Sequence, residues 1–338
     1  MPSIKKAEYE ALLQDTMDLI IVHKNCPDGW CSAVIAHKRF PEAEILPLDH
    51  GSPIPIENVR GKDVLVLDFS WRTREENIQL SKLAKSFRIL DHHKTAQAVL
   101  EGLPFAKFDM QRSGAGLAWD YLFGTDSSLM VHPEGLFIEN AARIIQPRPW
   151  YVDYVEERDL WRNDGKGFLP NSREVNAYIM TLPMTLDDWA VLDMIDADHA
   201  AVHGQGALAQ VNNYVREAIK QARRGHLSFN GKSYTVSIVN ALYMNISEVG
   251  HALVEAGADI GMGFFERHDN VMQFSLRSQG DTDVSAIAKL LNGGGHRNAA
   301  GFQLSIEDGR RLVDSLMYRN FDVTPPATPV GLEALPNY

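Results

Sequence analysis

The stretch SFRILDHHKT, residues 86–95, decides how the chain reads. Its apolar positions, Phe87, Ile89 and Leu90, form a short β-prone run that stops at a carboxylate and two imidazoles, Asp91, His92 and His93. A buried strand ending in such groups places divalent-cation ligands at the edge of a sheet. Three earlier runs have the same bounded apolar form: MDLIIVHK at 17–24, EILPLDH at 44–50 and DVLVLDF at 63–69. Each predicts a buried strand. Between them lie helical patterns, after Gly29 and in RTREENIQLSKLAK, whose Ile and Leu positions keep a helical spacing while the charges take the other face. This alternation predicts an α/β fold with a parallel sheet and helices on both sides.

Downstream, Gly114 to about Trp161 reads as mostly helical, and His199 to Arg224 as a connecting helix. HLSFNGKSYTVSIVNA carries an Asn-Gly turn between two β-prone runs, and GADIGMGFFERHDNVMQFSLRS a second polar turn, so both predict hairpins. The expected organisation is an N-terminal α/β domain over residues 1–200, a connecting helix over 201–225, a smaller mixed α/β domain over 226–320, and a proline-rich tail over 321–338 that frays. No internal repeat is visible.

Composition bounds the function. A chain of 338 residues, 45% hydrophobic and 23% charged, holds about two domains. No uncharged apolar stretch approaches the roughly 18 residues a membrane span needs, and MPSIKKAEYEALLQD lacks the apolar core of a secretory signal. The expectation is a cytoplasmic protein without membrane contact. Cys26 and Cys31 are too close to staple a fold and match no zinc spacing, so they read as small buried side chains. The net charge of −11 argues against holding long duplex nucleic acid by counterion release and favours short or small phosphorylated substrates.

The chemistry-bearing residues sit where strands end. His23 closes the first strand, Asp28 lies in the N-C-P-D-G turn after it, Asp68 closes VLVLD, and Asp91, His92 and His93 close RILD. Any one of these aspartates reads most simply as the cap of a following helix. Their recurrence at corresponding places favours a metal centre. Mixed carboxylate, imidazole and water ligation suits manganese first, with magnesium, cobalt or zinc admitted. In WYVDYVEERDLWR, Asp153 and Asp159 are alternative later ligands.

A second constellation is Gly293-Gly294-Gly295-His296, where consecutive glycines let backbone N–H groups converge on an anion. Within LLNGGGHRNAAGF, His296 and Arg297 are expected at a helix N-terminus, which favours anions. A tight turn between helix and strand is the plainer alternative. Arg277, at the end of QFSLRS, offers a fork of donors suited to phosphate. Arg112 is a weaker candidate for the same task, and Ser113 with Gly114 reads as a helix cap. Trp30 and the Phe264-Phe265 pair read as packing before they read as platforms for a base. His37, His50, His132, His199, His203, His226, His251 and His268 form no spacing tied to a metal.

Taken in order, these motifs resemble the DHH phosphoesterase family, which includes single-strand exonucleases of the RecJ type, oligoribonucleases, cyclic-dinucleotide phosphodiesterases and a class of inorganic pyrophosphatases. The resemblance runs through His23 to Gly29, Asp68, Asp91 to His93, Ser275 to Ser278 and Gly293 to Phe302, and the C-terminal part resembles the DHH-associated substrate domain. It implies that His23, Asp28 and Asp68 bind one metal and that Asp68 bridges to a second held also by His92 and a later aspartate, with Asp159 preferred. His93 would face the substrate phosphate, Asp91 would orient the imidazoles, and Arg277, Gly293, Gly294, Gly295 and His296 would bind the distal end of the substrate. Many family members have a second aspartate two residues beyond the one matching Asp28, where this chain has Trp30; Asn25 or a water would fill that place.

The expected activity is that of a metal-dependent phosphodiesterase acting on short oligonucleotides or small nucleotide phosphoesters and releasing nucleoside monophosphates, with two manganese ions activating water. An oligomer is compatible with it. Within the enzyme class, hydrolysis of a cyclic dinucleotide or of 3′-phosphoadenosine phosphate is the alternative. From another class, the alternative is a nucleotide-binding module without catalysis. Polyphosphate hydrolysis is disfavoured, since nothing forms a long basic channel.

Overall fold

The computed structural model describes residues 16–24, 26–49, 51–124, 148–318 and 321–323. Asn25, His50, His132 and the tail from residue 324 lie outside the described residues. The chain divides into two compact units, Met1–Leu208 and Ala209–Tyr338.

In the first unit the elements run β1 (Leu19–His23), α1 (Pro27–Arg39), β2 (Glu44–Leu48), α2 (Ile56–Val59), β3 (Asp63–Leu67), α3 (Arg74–Leu83), β4 (Ser86–Asp91), α4 (Lys94–Leu100), β5 (Ala106–Phe108), α5 (Gly114–Phe123), α6 (Trp150–Asp159), α7 (Ser172–Ile179), α8 (Leu186–Trp189) and α9 (Ala197–Lys220), the last crossing into the second unit. The five strands form one wholly parallel sheet in the order β2-β1-β3-β4-β5. The four expected strands are present, and the three-residue β5 adds an edge that the sequence pattern does not announce.

Every residue of β3 is buried, as expected for a central parallel strand covered on both faces. Ile20, Val22, Leu65, Leu67 and Leu90 point to a core shared with Ile35 of α1, Ala118 of α5 and Val152 of α6. The alternate residues Leu19, Ile21, Val64, Val66 and Ile89 point to a second core closed by Leu80 of α3 and Leu100 of α4. Each such side chain contributes about 1.5–3 kcal/mol by leaving water, so the sheet is strongly specified. Helix α3 starts at a capping box: Thr73 accepts the Glu76 N–H while Glu76 accepts the Thr73 N–H, as the T-x-x-E spacing dictates.

The strand order reverses between β1 and β3, because the chain leaves β1 toward β2 on one side and returns to β3 on the other. The carboxyl ends of two such strands splay their following loops apart and leave a crevice for ligands. His23 ends β1, and Asp68 follows β3.

The second unit continues with β6 (Arg223–Phe229), β7 (Lys232–Asn240), α10 (Ile246–Glu255), β8 (Ile260–Glu266), β9 (Val271–Arg277), α11 (Val284–Leu290), β10 (Gly294–His296), β11 (Ala299–Ser305), α12 (Ile306–Tyr318) and β12 (Phe321–Val323). Its sheet is mixed, in the order β10-β11-β9-β8-β7-β6-β12, with β7–β8 and β6–β12 parallel and the other pairs antiparallel. Both expected hairpins form. Asn230 and Gly231 take positive φ values of 49° and 73°, the two-residue turn that matches strand twist. Phe264 packs against Phe274 with ring centroids 5.9 Å apart, in keeping with a packing role.

The glycine run departs from expectation. Gly294–His296 is a strand paired with β11, not the start of a helix. A Cβ on Gly293 would lie 2.1 Å from the Gly301 carbonyl oxygen, and one on Gly295 would lie 2.5 Å from that of Ala299. Close approach of two backbones is therefore what selects glycine here, and the run lies between helix α11 and strand β11.

Candidate metal centre

The site assembles at the carboxyl edge of the parallel sheet. Helix α1 begins directly after β1, with Pro27 at its first turn, and this carries Asp28 back over the strand ends. Its carboxylate accepts N–H bonds from Gly114 (2.5 Å) and Ala115 (2.9 Å) at the start of α5, where unpaired backbone donors favour an anion. Gly114 is required there: a Cβ would lie 2.4 Å from Asp68 Cβ and 2.9 Å from Asp28 Oδ2. Ser113 caps the same helix by accepting the Gly116 N–H, which matches its expected role.

Asp68, directly after β3, has a left-handed backbone with φ of 54° and is buried. Its Oδ1 lies 3.2 Å from His92 Nε2 and 3.9 Å from His93 Nδ1, and its Oδ2 lies 3.6 Å from His23 Nδ1. His92 Nε2 also lies 3.5 Å from Asp28 and 3.4 Å from Asp159, at the end of α6. One buried imidazole thus faces three carboxylates from three segments. Asp153, the alternative later ligand, pairs instead with Arg148 at 2.7 Å.

Asp91 serves the two histidines beside it. Its Oδ1 accepts the N–H groups of His92 (2.7 Å) and His93 (3.1 Å) and lies 2.7 Å from His93 Nδ1, while Oδ2 accepts the Ser70 hydroxyl at 3.0 Å. Among the described residues of the first unit, three groups of side chains that could hold a metal ion result, each with ligand atoms within 4.8 Å of one another: Asp28, His92 and Asp159; Asp68, Asp91 and His93; and His23, Cys26 and Asp68. Cys26 was not anticipated as a neighbour of this site. Its position between His23 and Asp28 was the available signal.

The electrostatics are those of negative charge packed beyond what the protein itself neutralises. Burial, with the charges of Asp159 and Asp68, pushes Asp28 well above the usual carboxylate range, and burial raises Asp159. Against its burial, the imidazoles of His23 and His92 hold Asp68 well below that range. Against its own burial, His93 holds Asp91 down to about 2. Burial also opposes charge on the histidines, yet Asp159 and Asp68 raise His92 and Asp91 raises His93. Asp68 Oδ2 and Asp159 Oδ2 are buried with no hydrogen-bond partner among the described residues. Carboxylates and imidazoles crowded in this way, with Asp68 Oδ2 and Asp159 Oδ2 facing imidazole nitrogens at 3.6 and 3.4 Å without a hydrogen bond, fit a divalent cation.

Other predicted residues lie elsewhere. Arg112 pairs within the first unit: Nε and Nη2 reach Asp120 at 2.8 and 3.0 Å, and Nη1 reaches Glu156 at 2.8 Å. Trp30 is buried in the core beside α5, as the packing reading expects. In the second unit, Arg277 ends β9 and donates to Ser275 Oγ (3.0 Å), the Leu276 carbonyl (2.8 Å) and Ser247 Oγ (2.5 Å). His296 ends β10, and Arg297 pairs with Asp281 at an exposed position. No helix among the described residues is long and apolar enough to cross a membrane.

Residues 236–318 match the family model of the DHHA1 domain, so the C-terminal unit carries that domain. An uncharacterized protein of Acanthamoeba polyphaga mimivirus is 26% identical over 314 residues, covering 86% of this chain and 68% of the relative. Among solved structures, the chain is similar to an exonuclease RecJ bound to manganese, with 13% identity, a TM-score of 0.49 and 94% of each chain covered. It is also similar to PggH, a pGpG-specific phosphodiesterase of Vibrio cholerae, with 13% identity, a TM-score of 0.41, and 89% of this chain and 97% of that one covered.

Proposed function

We propose that the protein is a DHH phosphoesterase: a metal-dependent phosphodiesterase that hydrolyses short oligonucleotides or small nucleotide phosphoesters and releases nucleoside monophosphates. The observation that carries this reading is the convergence of Asp28, Asp68 and Asp159 on the buried His92, with Asp91 bound to the neighbouring His93.

His23, Asp28, Asp68, His92 and Asp159 are the proposed holders of the cations, manganese first, with magnesium or cobalt as substitutes. Divalent cations bound there supply activation of water near neutral pH and polarisation of phosphoryl oxygens. Asp68 contributes carboxylate oxygens toward both His23 and His92, so it serves two ligand groups at once. Asp91 engages His93 through Nδ1 and orients its ring, and Nε2 is the proposed donor toward a phosphoryl oxygen. The proposed substrate contacts of the DHHA1 domain are Arg277, Gly293, Gly294, Gly295 and His296. The guanidinium of Arg277 is held in place by its three partners, which lowers the entropy lost on binding a phosphate.

The test is incubation of purified protein and manganese with a dinucleotide, a short RNA, a cyclic dinucleotide, 3′-phosphoadenosine phosphate and polyphosphate, beside an Asp68→Asn control. Release from a dinucleotide or short RNA that depends on Asp68 is the expected result. Nucleotide binding without turnover anywhere in the panel would replace the enzyme with a binding module.

A further inference from the structure

We propose that His23, Cys26 and Asp68 form a sulfur-containing cation position, so that the centre holds a thiophilic divalent ion of the zinc or cobalt kind there in preference to magnesium. The inference rests on the reading of this centre as a metal site and assigns it a ligand and an ion class.

Three observations carry it. The Nδ1 or Nε2 of His23, the Sγ of Cys26 and a carboxylate oxygen of Asp68 lie within 4.8 Å of one another, although they come from a strand end, a turn and a second strand end. Asp68 is 1% exposed, and its Oδ2, on the His23 side, has no hydrogen-bond partner among the described residues. A buried carboxylate oxygen whose ion pair with His23 is 3.6 Å long is only partly compensated, and a cation seated against it would lower that cost. The two cysteines also differ in surroundings. Cys31 lies fully inside the hydrophobic core, whereas Cys26 is partly exposed and stands outside the core clusters. Packing explains Cys31 and leaves Cys26 without that explanation.

The backbone holds Cys26 in place. It precedes Pro27, which restricts it to the extended region it occupies, and its carbonyl accepts the Trp30 N–H at 2.9 Å. The thiol therefore stands at the residue that opens α1. When sulfur coordinates a cation, its proton passes to solvent and its lone pair forms the new bond. Sulfur and imidazole suit zinc and cobalt, while magnesium requires a shell of oxygens, so one thiolate is enough to separate the two ion classes.

The experiment is titration of the metal-free, full-length protein with cobalt(II), read by visible and near-ultraviolet absorption, for the wild type, Cys26→Ser and Cys31→Ala. The expected result is a sulfur-to-cobalt charge-transfer band in the wild type, retained in Cys31→Ala and absent from Cys26→Ser. Calorimetry should show zinc affinity falling about tenfold or more in Cys26→Ser, with magnesium affinity unchanged. X-ray absorption of the cobalt-loaded wild type should show a sulfur neighbour, which keeps the test intact if a variant misfolds. Visible ligand-field bands without sulfur would overturn this inference and leave the metal centre standing. Persistence of the band in folded Cys26→Ser would overturn it too. Failure of the wild type to bind any cation would remove both readings.

Discussion

Asp91 Oδ1 stands 2.7 Å from His93 Nδ1 and at the same time accepts the backbone N–H of both His92 and His93. One carboxylate oxygen thus sets the ring and the main chain of the two residues that follow it.

That arrangement has a pH signature in the metal-free protein. Asp91 is held at about 2, below the ordinary value of 3.8, so its stabilising contribution is complete above about pH 4 and is lost as pH falls through about 2. The shift corresponds to about 2 kcal/mol. Asp91→Asn should lower urea stability by that order near neutral pH, and the difference from wild type should shrink on acidification. A gap that stays constant down to about pH 2 would remove the ion-pair explanation.

Asp159→Asn should weaken manganese binding about tenfold or more, because its carboxylate faces His92. Asp153→Asn should leave binding unchanged, because its partner is Arg148. Calorimetry with both variants decides between them, and the reverse ranking would move the later ligand to Asp153.

Alanine at Gly114 should be damaging even though alanine favours helices. Its Cβ would press on the side chains of Asp68 and Asp28, and overpacking of this kind costs about 1–3 kcal/mol. Gly206→Ala in α9 meets open space and should instead stabilise by about 0.5–1 kcal/mol. Thermal melts of the two variants should therefore shift in opposite directions, and manganese binding should fall only for Gly114→Ala.

Ser113→Ala removes the acceptor for the Gly116 N–H and should cost about 1 kcal/mol. For a capping residue, KM with the substrate identified in the panel stays at the wild-type value. A raised KM at equal folded fraction would give Ser113 a substrate contact.

The parallel sheet was legible because β1 and β3 bury both faces and so appear as short apolar runs, while β4 keeps Phe87, Ile89 and Leu90 buried around the half-buried Arg88. The Asn230-Gly231 hairpin was legible because that dipeptide takes two positive φ values with little strain. The short edge strand β5 was not, since Ala106–Phe108 is too brief to establish a period. At the site, strand-terminal position selected His23, Asp68 and Asp91 from sequence alone. The approach of α5 to Asp28 was hidden, because backbone N–H groups leave no mark on composition. The pairing of Arg112 was hidden for a related reason: its partners Asp120 and Glu156 face it only once α5 and α6 are packed. The glycine run misled because a helix start and a tightly approached strand both favour glycine.

The left-handed backbone of Asp68 narrows what evolution or a mutagenesis library can place there. Most side chains strain at φ of 54°, and the few types that tolerate it are glycine, asparagine, aspartate and histidine. Of these, aspartate alone is anionic near neutral pH. Glutamate would restore the charge but not the backbone ease, and asparagine would restore the backbone ease but not the charge. Saturation mutagenesis at this position should accordingly recover the native codon alone when scored for function, while asparagine ranks beside it when scored for folding.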